Sequence, residues 1–172
     1  MAQRPTHPPN RASATGHLRQ SDPLGPQPNH CFGCASGNRQ GLRLKFTEDD
    51  SGVECVFRIA RRFAGPPGHV HGGIIATVLD EAMGKVNRRK GIVALTRRMA
   101  IDYLQPVPLG VKLRAVGWAV KQEGRKHFMA GEIRTLEGAV LARSEGLFIA
   151  IDPAEMFRKY GERQPVQSKH AP

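Results

Sequence analysis

Apolar and polar positions along the chain follow two different periods, and the change from one to the other separates strands from a helix. From Gly41 onward Leu42, Leu44 and Phe46 alternate with Arg43, Lys45 and Thr47, the period of two that marks a half-buried strand. Val53, Cys55, Phe57 and Ile59 repeat that alternation against Glu54, Val56 and Arg58. The polar run Glu48-Asp49-Asp50-Ser51-Gly52 between the two segments predicts a hairpin. In Ala64-Gly65-Pro66-Pro67-Gly68, two prolines remove backbone donors and two glycines let the chain bend, so this segment is a loop. After His71-Gly72-Gly73 the spacing turns helical: Ile75, Val78 or Leu79, Ala82 and Val86 recur every three or four residues. Basic last-turn residues and a glycine in Arg88-Arg89-Lys90-Gly91 fit a helix C-terminus. Ile74, Ile75, Ala76, Val78, Leu79, Ala82 and Met83 cover well over half the circumference of the first three turns, which predicts a buried central helix.

The remainder reads as four long antiparallel strands, roughly 92–103, 111–122, 126–135 and 139–151, with turns at Gln122-Glu123-Gly124-Arg125 and Leu136-Glu137-Gly138. Gln105-Pro106-Val107-Pro108 ends the first of them by lacking donors. In the second, the apolar set shifts from Val111, Leu113 and Ala115 to Val116, Trp118 and Val120, which predicts a β-bulge near Ala115 and Val116. Asp152-Pro153 has the chemistry to cap and start a short terminal helix through Tyr160. The order is two strands, one long helix, then four strands. One helix set early among antiparallel strands, with no βαβ alternation, predicts an α+β sheet wrapped around that helix.

Composition bounds this picture. A chain of 172 residues fits a single core, expected over residues 29–160. Residues 1–28 hold six prolines among polar residues and little to bury, so a disordered or surface-draped tail is expected there, with a frayed end over 161–172. No apolar run is long enough to span a membrane, and Met1 to Gln20 lacks the hydrophobic segment of a secretory signal. A cytoplasmic location is the expectation. Three cysteines, Cys31, Cys34 and Cys55, cannot all pair with one another, and reduced thiols are expected. The net charge of +11 favours polyanions, whether nucleic acid or the phosphates of coenzyme A. Against nucleic acid as the main partner, the chain has no zinc finger, no basic zipper and no aromatic-and-basic strand signature, and aromatics are 6%.

Three stretches carry a resemblance to a known family. They are Asn29-His30-Cys31-Phe32-Gly33-Cys34 followed by Gly41-Leu42; the long segment Gly65 to Gly84 containing His69-Val70-His71-Gly72-Gly73 and Leu79-Asp80-Glu81-Ala82-Met83; and Asp102-Tyr103-Leu104-Gln105-Pro106. In this order they resemble the hotdog-fold thioesterases of the phenylacetate type, over about residues 29–151. The resemblance implies acyl-coenzyme A as substrate, no separate cofactor because coenzyme A is part of the substrate, and a homodimer or a dimer of dimers. It places the family's catalytic carboxylate on Asp80, where some relatives have Glu. The carbonyl-polarising amide falls on Gly72 and the histidine opening the motif on His71. The loop from Ala35 to Gly41 departs from the Gly and Pro more common in relatives.

The residues themselves suit that chemistry. Thioester hydrolysis needs a group that activates water and a donor for charge growing on the carbonyl oxygen. Gly72 and Gly73 at a helix start offer amides at the positive end of the dipole, with no Cβ to hold a carbonyl away. Asp80 stands among Val78, Leu79, Ala82 and Met83, where a charge needs a reason. It lies eight residues beyond Gly72, about 12 Å along a helix axis, so one thioester reaches both only if they come from different protomers. General base and nucleophile both remain open for Asp80. Thr77, one turn earlier, bonds either to Asp80 or to a backbone carbonyl, and Glu81 reads as structural or interfacial. Arg88, Arg89, Lys90, Arg97 and Arg98, with Lys85, are candidates for the coenzyme A phosphates; Lys112, Arg114 and Lys121 are further ones. Cys31 and Cys34 have the spacing of half a zinc site, with His30 as a possible third ligand, but no second pair completes it, and no metal is expected. A hydratase or dehydratase on the same fold and a non-catalytic acyl-coenzyme A binder are the rival readings. The first acts at the α and β carbons, whereas an aspartate paired with a glycine amide suits attack on a carbonyl.

Overall fold

The computed structural model describes Gly16–His17 and residues 30–161. The expectations for the rest of the tail and for the C-terminal end fall outside the described residues. The elements in order are β1 (Gly16–His17), β2 (Thr47–Asp49), β3 (Gly52–Phe57), a 3-10 turn (Arg61–Phe63), α1 (Gly72–Arg89), β4 (Ala94–Tyr103), β5 (Leu113–Glu123), β6 (Lys126–Arg134), β7 (Val140–Ala150) and α2 (Pro153–Gly161). The strands form one antiparallel sheet in the order β1-β2-β3-β5-β6-β7-β4, with α1 packed on β3 through β7. This is the α+β hotdog arrangement, a sheet around one long helix. No helix among the described residues is long and apolar enough to cross a membrane.

Side chains on α1 at the predicted spacing, Ile75, Val78, Leu79, Ala82, Met83 and Val86, are buried, with Leu79, Ala82 and Met83 at zero exposure. Three glycines let the helix sit this close. A Cβ on Gly117 of β5 would stand 2.4 Å from the Ala82 carbonyl oxygen, one on Gly131 of β6 3.3 Å from Met83, and one on Gly146 of β7 3.0 Å from the Met83 sulfur. The sheet thus carries a trough without side chains where the widest part of α1 lies, and the α1 backbone packs directly on the β5 backbone. At its far end, Asn87 Oδ1 and His127 Nδ1 pair at 2.7 Å, tying the last turn of α1 to β6 inside the core.

Two expectations need correction. Residues 42–46 keep their alternation of burial, with Leu44 and Phe46 in the core, yet they are not a strand. Arg43 takes a left-handed φ of 53°, and the amides of Leu42 and Leu44 bond to the carbonyls of Phe32 and Gly33 instead of to a neighbouring strand. The paired hairpin is therefore only Thr47–Asp49 with Gly52–Phe57, closed by Asp49 accepting from the amides of Ser51 and Gly52. The bulge in β5 lies between Ala119 and Lys121, not near Ala115. Leu113, Ala115 and Gly117 all face the helix without interruption, while Val116 and Trp118 are buried on the opposite face with Ala130. The apparent shift came from Gly117, which continues the inward face with no side chain to show it. The expected terminal helix is present as α2, with Asp152 Oδ1 accepting from the Ala154 amide at 2.9 Å.

Candidate active site

The start of α1 is held by the loop before it. Val70 donates to Val107 and His71 to Phe63, and the latter places His71 beside Gly65, where a Cβ would come within 2.8 Å of the His71 Cα. His71 is the N-cap: its backbone is extended and its Nδ1 accepts from the Gly73 amide at 3.0 Å. The Ile74 and Ile75 amides go to the His71 carbonyl. Gly73 was expected to offer a second open amide, and the cap takes it. Among the described residues no acceptor meets the Gly72 amide, so this donor at the positive end of α1 is the one open to a ligand. The Gly72 carbonyl accepts from the Tyr103 hydroxyl at 3.2 Å, which fixes the same peptide from the β4 side.

Two turns further along α1, Asp80 faces β4. Its Oδ1 accepts from the Thr96 hydroxyl at 2.7 Å. Burial pushes the Asp80 carboxyl above its ordinary value; the Thr96 bond pulls it back, and the Glu81 charge adds to the rise. Directly after Thr96 the pairing of β4 with β7 slips by one residue at Arg97, a bulge of the kind that redirects side chains beside active sites. Asp80 and Thr96 open onto a cavity of about 310 Å³ whose walls include Glu81, Lys85, Leu95 and Phe148.

On the other wall of this cavity stands a group that the sequence reading divided among separate residues. Cys31 donates to Glu81 Oε1 at 3.1 Å, Lys85 Nζ donates to the Cys34 sulfur at 3.0 Å, and Lys85 and Glu81 form an ion pair at 3.8 Å. Gly33 between the cysteines permits this, since a Cβ there would lie 2.3 Å from Glu81 Cγ. The sulfurs of Cys31 and Cys34 and a Glu81 oxygen lie within 4.8 Å of one another. Burial and then the Glu81 charge push the Cys34 thiol up to about 12, and Lys85 only partly offsets them. Two thiols and a carboxylate are a donor set for a soft cation, but Lys85 already brings a positive charge into it.

Of the remaining candidates, Thr77 bonds back to the Gly73 carbonyl at 2.9 Å and does not reach Asp80 as its partner. Arg88 lines the cavity. Arg89 is turned to the β2–β3 hairpin, donating to the Gly52 carbonyl and pairing with Glu48. Lys90 caps α1, and Arg97 and Arg98 stand exposed on β4. Arg114 pairs with Glu54, and Lys121 pairs with Glu123 and lies over Phe128, so neither faces the site. Sequence reasoning missed Thr96 and Tyr103, because a strand residue gains its meaning from which helix residue it meets. The period-two pattern across β4 gave only their faces.

A family model described as the thioesterase superfamily matches residues 67–142. Acyl-coenzyme A thioesterase THEM4 of Rattus norvegicus is 34% identical over 109 residues, covering 63% of this chain and 47% of that protein. Its counterpart in Bos taurus is 33% identical over 122 residues, covering 68% and 50%. The chain thus spans about half the length of these curated relatives. Among solved structures, a thioesterase superfamily protein matches with a TM-score of 0.67 and 33% identity over 70% of this chain and 60% of its own. A Bacillus halodurans protein solved with coenzyme A matches with a TM-score of 0.58 and 31% identity over 64% of this chain and 76% of its own.

Proposed function

This chain belongs to the thioesterase superfamily, and from that premise we propose that it hydrolyses acyl-coenzyme A to the free acid and coenzyme A through Asp80 and the Gly72 amide. The observation that carries the reading is the pairing of Asp80 with Thr96 on the wall of a cavity, with burial holding the carboxyl above its ordinary value. A poorly solvated carboxylate with one fixed hydrogen bond keeps a free lone pair for water or for direct attack on the thioester carbon. Attack turns the carbonyl oxygen into an oxyanion, and the Gly72 amide, left open where His71 occupies its neighbour, donates to it. Breakdown of the tetrahedral species breaks the C–S bond and the coenzyme A thiolate leaves; attack by water gives the acid at once, whereas attack by Asp80 gives an anhydride that water then opens to the acid and the free carboxylate.

Gly72 and Asp80 are about 12 Å apart along α1, so the two act on one thioester only across a two-fold axis. Strand β4 supports this assembly: it is an edge strand, it carries Thr96, and its Leu95 and Tyr103 are exposed. A second copy paired along β4 brings its own α1 start beside this Asp80. Arg88 in the cavity wall and Arg97 and Arg98 beside it supply charge-assisted donors for the coenzyme A phosphates.

The test is steady-state hydrolysis of short, medium, long and aromatic acyl-coenzyme A, with Asp80→Asn in parallel and the mass in solution measured for both. Removing a general base or nucleophile lowers kcat by at least about 10²–10⁴. Turnover that collapses in a variant of unchanged mass supports the reading. Turnover absent from the parent refutes the reading and favours a binder without catalysis, and turnover indifferent to Asp80 refutes the role given to that carboxylate.

A further inference from the structure

We propose that Cys31 and Cys34 form a reversible dithiol–disulfide couple in the wall of the Asp80 cavity, oxidised by hydroperoxides that enter through that cavity. The two residues lie in one turn, closed by the Ala35 amide bonding to the Cys31 carbonyl at 3.1 Å. Residues three apart in a turn have Cα atoms within about 7 Å, and disulfides join Cα atoms about 4.4–6.8 Å apart. The sulfurs already stand within 4.8 Å of each other, and neither is in a disulfide. A change of side-chain rotamer then closes the bond without moving strands or helix.

The surroundings assign the two thiols different roles. Both cysteines line the cavity, but Cys31 is half-buried where Cys34 is buried, so Cys31 is the thiol that a peroxide reaches first. Cys34 is buried, and its thiol is pushed up to about 12, which keeps it protonated until a partner is generated beside it. In the first step the Cys31 sulfur attacks one peroxide oxygen, the O–O bond breaks, and Cys31 becomes a sulfenic acid as water or an alcohol departs. In the second, the Cys34 sulfur attacks the Cys31 sulfur, the S–S bond forms, and the S–O bond breaks. The departing hydroxide takes the Cys34 proton and leaves as water, so two thiols and one hydroperoxide give one disulfide. Lys85 Nζ, 3.0 Å from the Cys34 sulfur, stabilises the negative charge that loss of the thiol proton exposes there.

Closing the disulfide removes the Cys31 donor from Glu81 and changes the sulfur that Lys85 contacts. Both side chains line the cavity, and the Glu81 charge already acts on Asp80. Oxidation therefore acts on the same cavity as the proposed hydrolysis; that consequence rests on the thioesterase reading, whereas the couple itself does not.

The experiment treats the full chain with hydrogen peroxide, denatures it and alkylates the remaining thiols, with peptide mapping by mass spectrometry. The expected result is loss of two alkylatable thiols of the three, with Cys55 still labelled and a Cys31–Cys34 link recovered as thiols by dithiothreitol. Cys31→Ser, and separately Cys34→Ser, should each abolish the link; Cys34→Ser should leave Cys31 to proceed to sulfinic acid. Oxidation that leaves all three thiols alkylatable, links to Cys55, or stops at Cys31 sulfinic acid in the unmutated chain overturns the couple. Acyl-coenzyme A turnover measured on the same samples is expected to fall on oxidation and return on reduction. A protein that forms the link but never turns over refutes the hydrolase and keeps the couple; one that turns over equally in both states refutes its effect on the cavity.

Discussion

Replacing Thr96 by Ala removes the hydroxyl that holds Asp80, and the size and pH signature of the loss follow from the contacts. The bond is 2.7 Å long and its acceptor is the group proposed to react. Hydrogen bonds to charged groups contribute about 1.5–3 kcal/mol, and Thr96 stands exposed, so solvent screening puts this one at the low end. About 1.5 kcal/mol corresponds to roughly a tenfold change in rate. Burial and Glu81 both push the Asp80 carboxyl up, and Thr96 opposes them. Without the hydroxyl the two upward influences act unopposed, and Asp80 keeps its proton to higher pH. The acid limb of the kcat/KM profile should move to higher pH in Thr96→Ala, with the tenfold loss concentrated there, and Thr96→Ser should restore the parent profile. Profiles measured with one acyl-coenzyme A across the acid range decide the matter. An acid limb that stays in place in Thr96→Ala, or a serine variant indistinguishable from the alanine one, would refute the coupling.

The same carboxylate makes a stability prediction of opposite sign to its catalytic one. Its folded pKa is raised above the unfolded value, so the fold favours the protonated form. That contribution is complete below the unfolded carboxylate range and is lost as pH rises through the folded value. Asp80→Asn should therefore have a higher Tm than the parent at neutral pH, a difference that shrinks in acid; calorimetry at the two pH values checks it. At the trough under α1, Gly117→Ala places a Cβ 2.4 Å from the Ala82 carbonyl oxygen, a backbone atom that cannot swing away. Overpacking of this kind costs about 1–3 kcal/mol, and each kcal/mol lowers Tm by about 2–4 °C at this chain length. Urea unfolding of Gly117→Ala within error of the parent would show that the helix is not seated on that strand.

The architecture was legible wherever side chains advertise their face. The alternation in Val53, Cys55, Phe57 and Ile59 became β3 and its extension, and Ile75 to Val86 became the buried stripe of α1. It failed where backbone conformation or an absent side chain decides. Arg43 alternates like a strand residue while its φ is left-handed, and Gly117 faces inward with nothing for a hydrophobic pattern to register. The proposed site was legible as far as one helix carries it, since His71 caps α1 and Gly72 and Asp80 lie along it. Thr96, sixteen residues from Asp80 in the chain, and Cys31, fifty from Glu81, become partners only when the sheet closes. Spacing along the chain contains no term for such contacts.

The adjacent pair Asp80-Glu81 shows what that closure adds. Neighbours on a helix point about 100° apart, so two carboxylates one residue apart necessarily face different surroundings. Asp80 faces β4 and receives one hydroxyl; Glu81 faces the 31–34 turn and receives a thiol and an ammonium group. Lys85 pairs with Glu81 at 3.8 Å, while Asp80 meets the Thr96 hydroxyl and its carboxyl is held above the ordinary value by burial and by the Glu81 charge. The two adjacent carboxylates of the proposed site are thus given different partners, and the Cys31–Gly33–Cys34 turn is the surface that holds Glu81 in place.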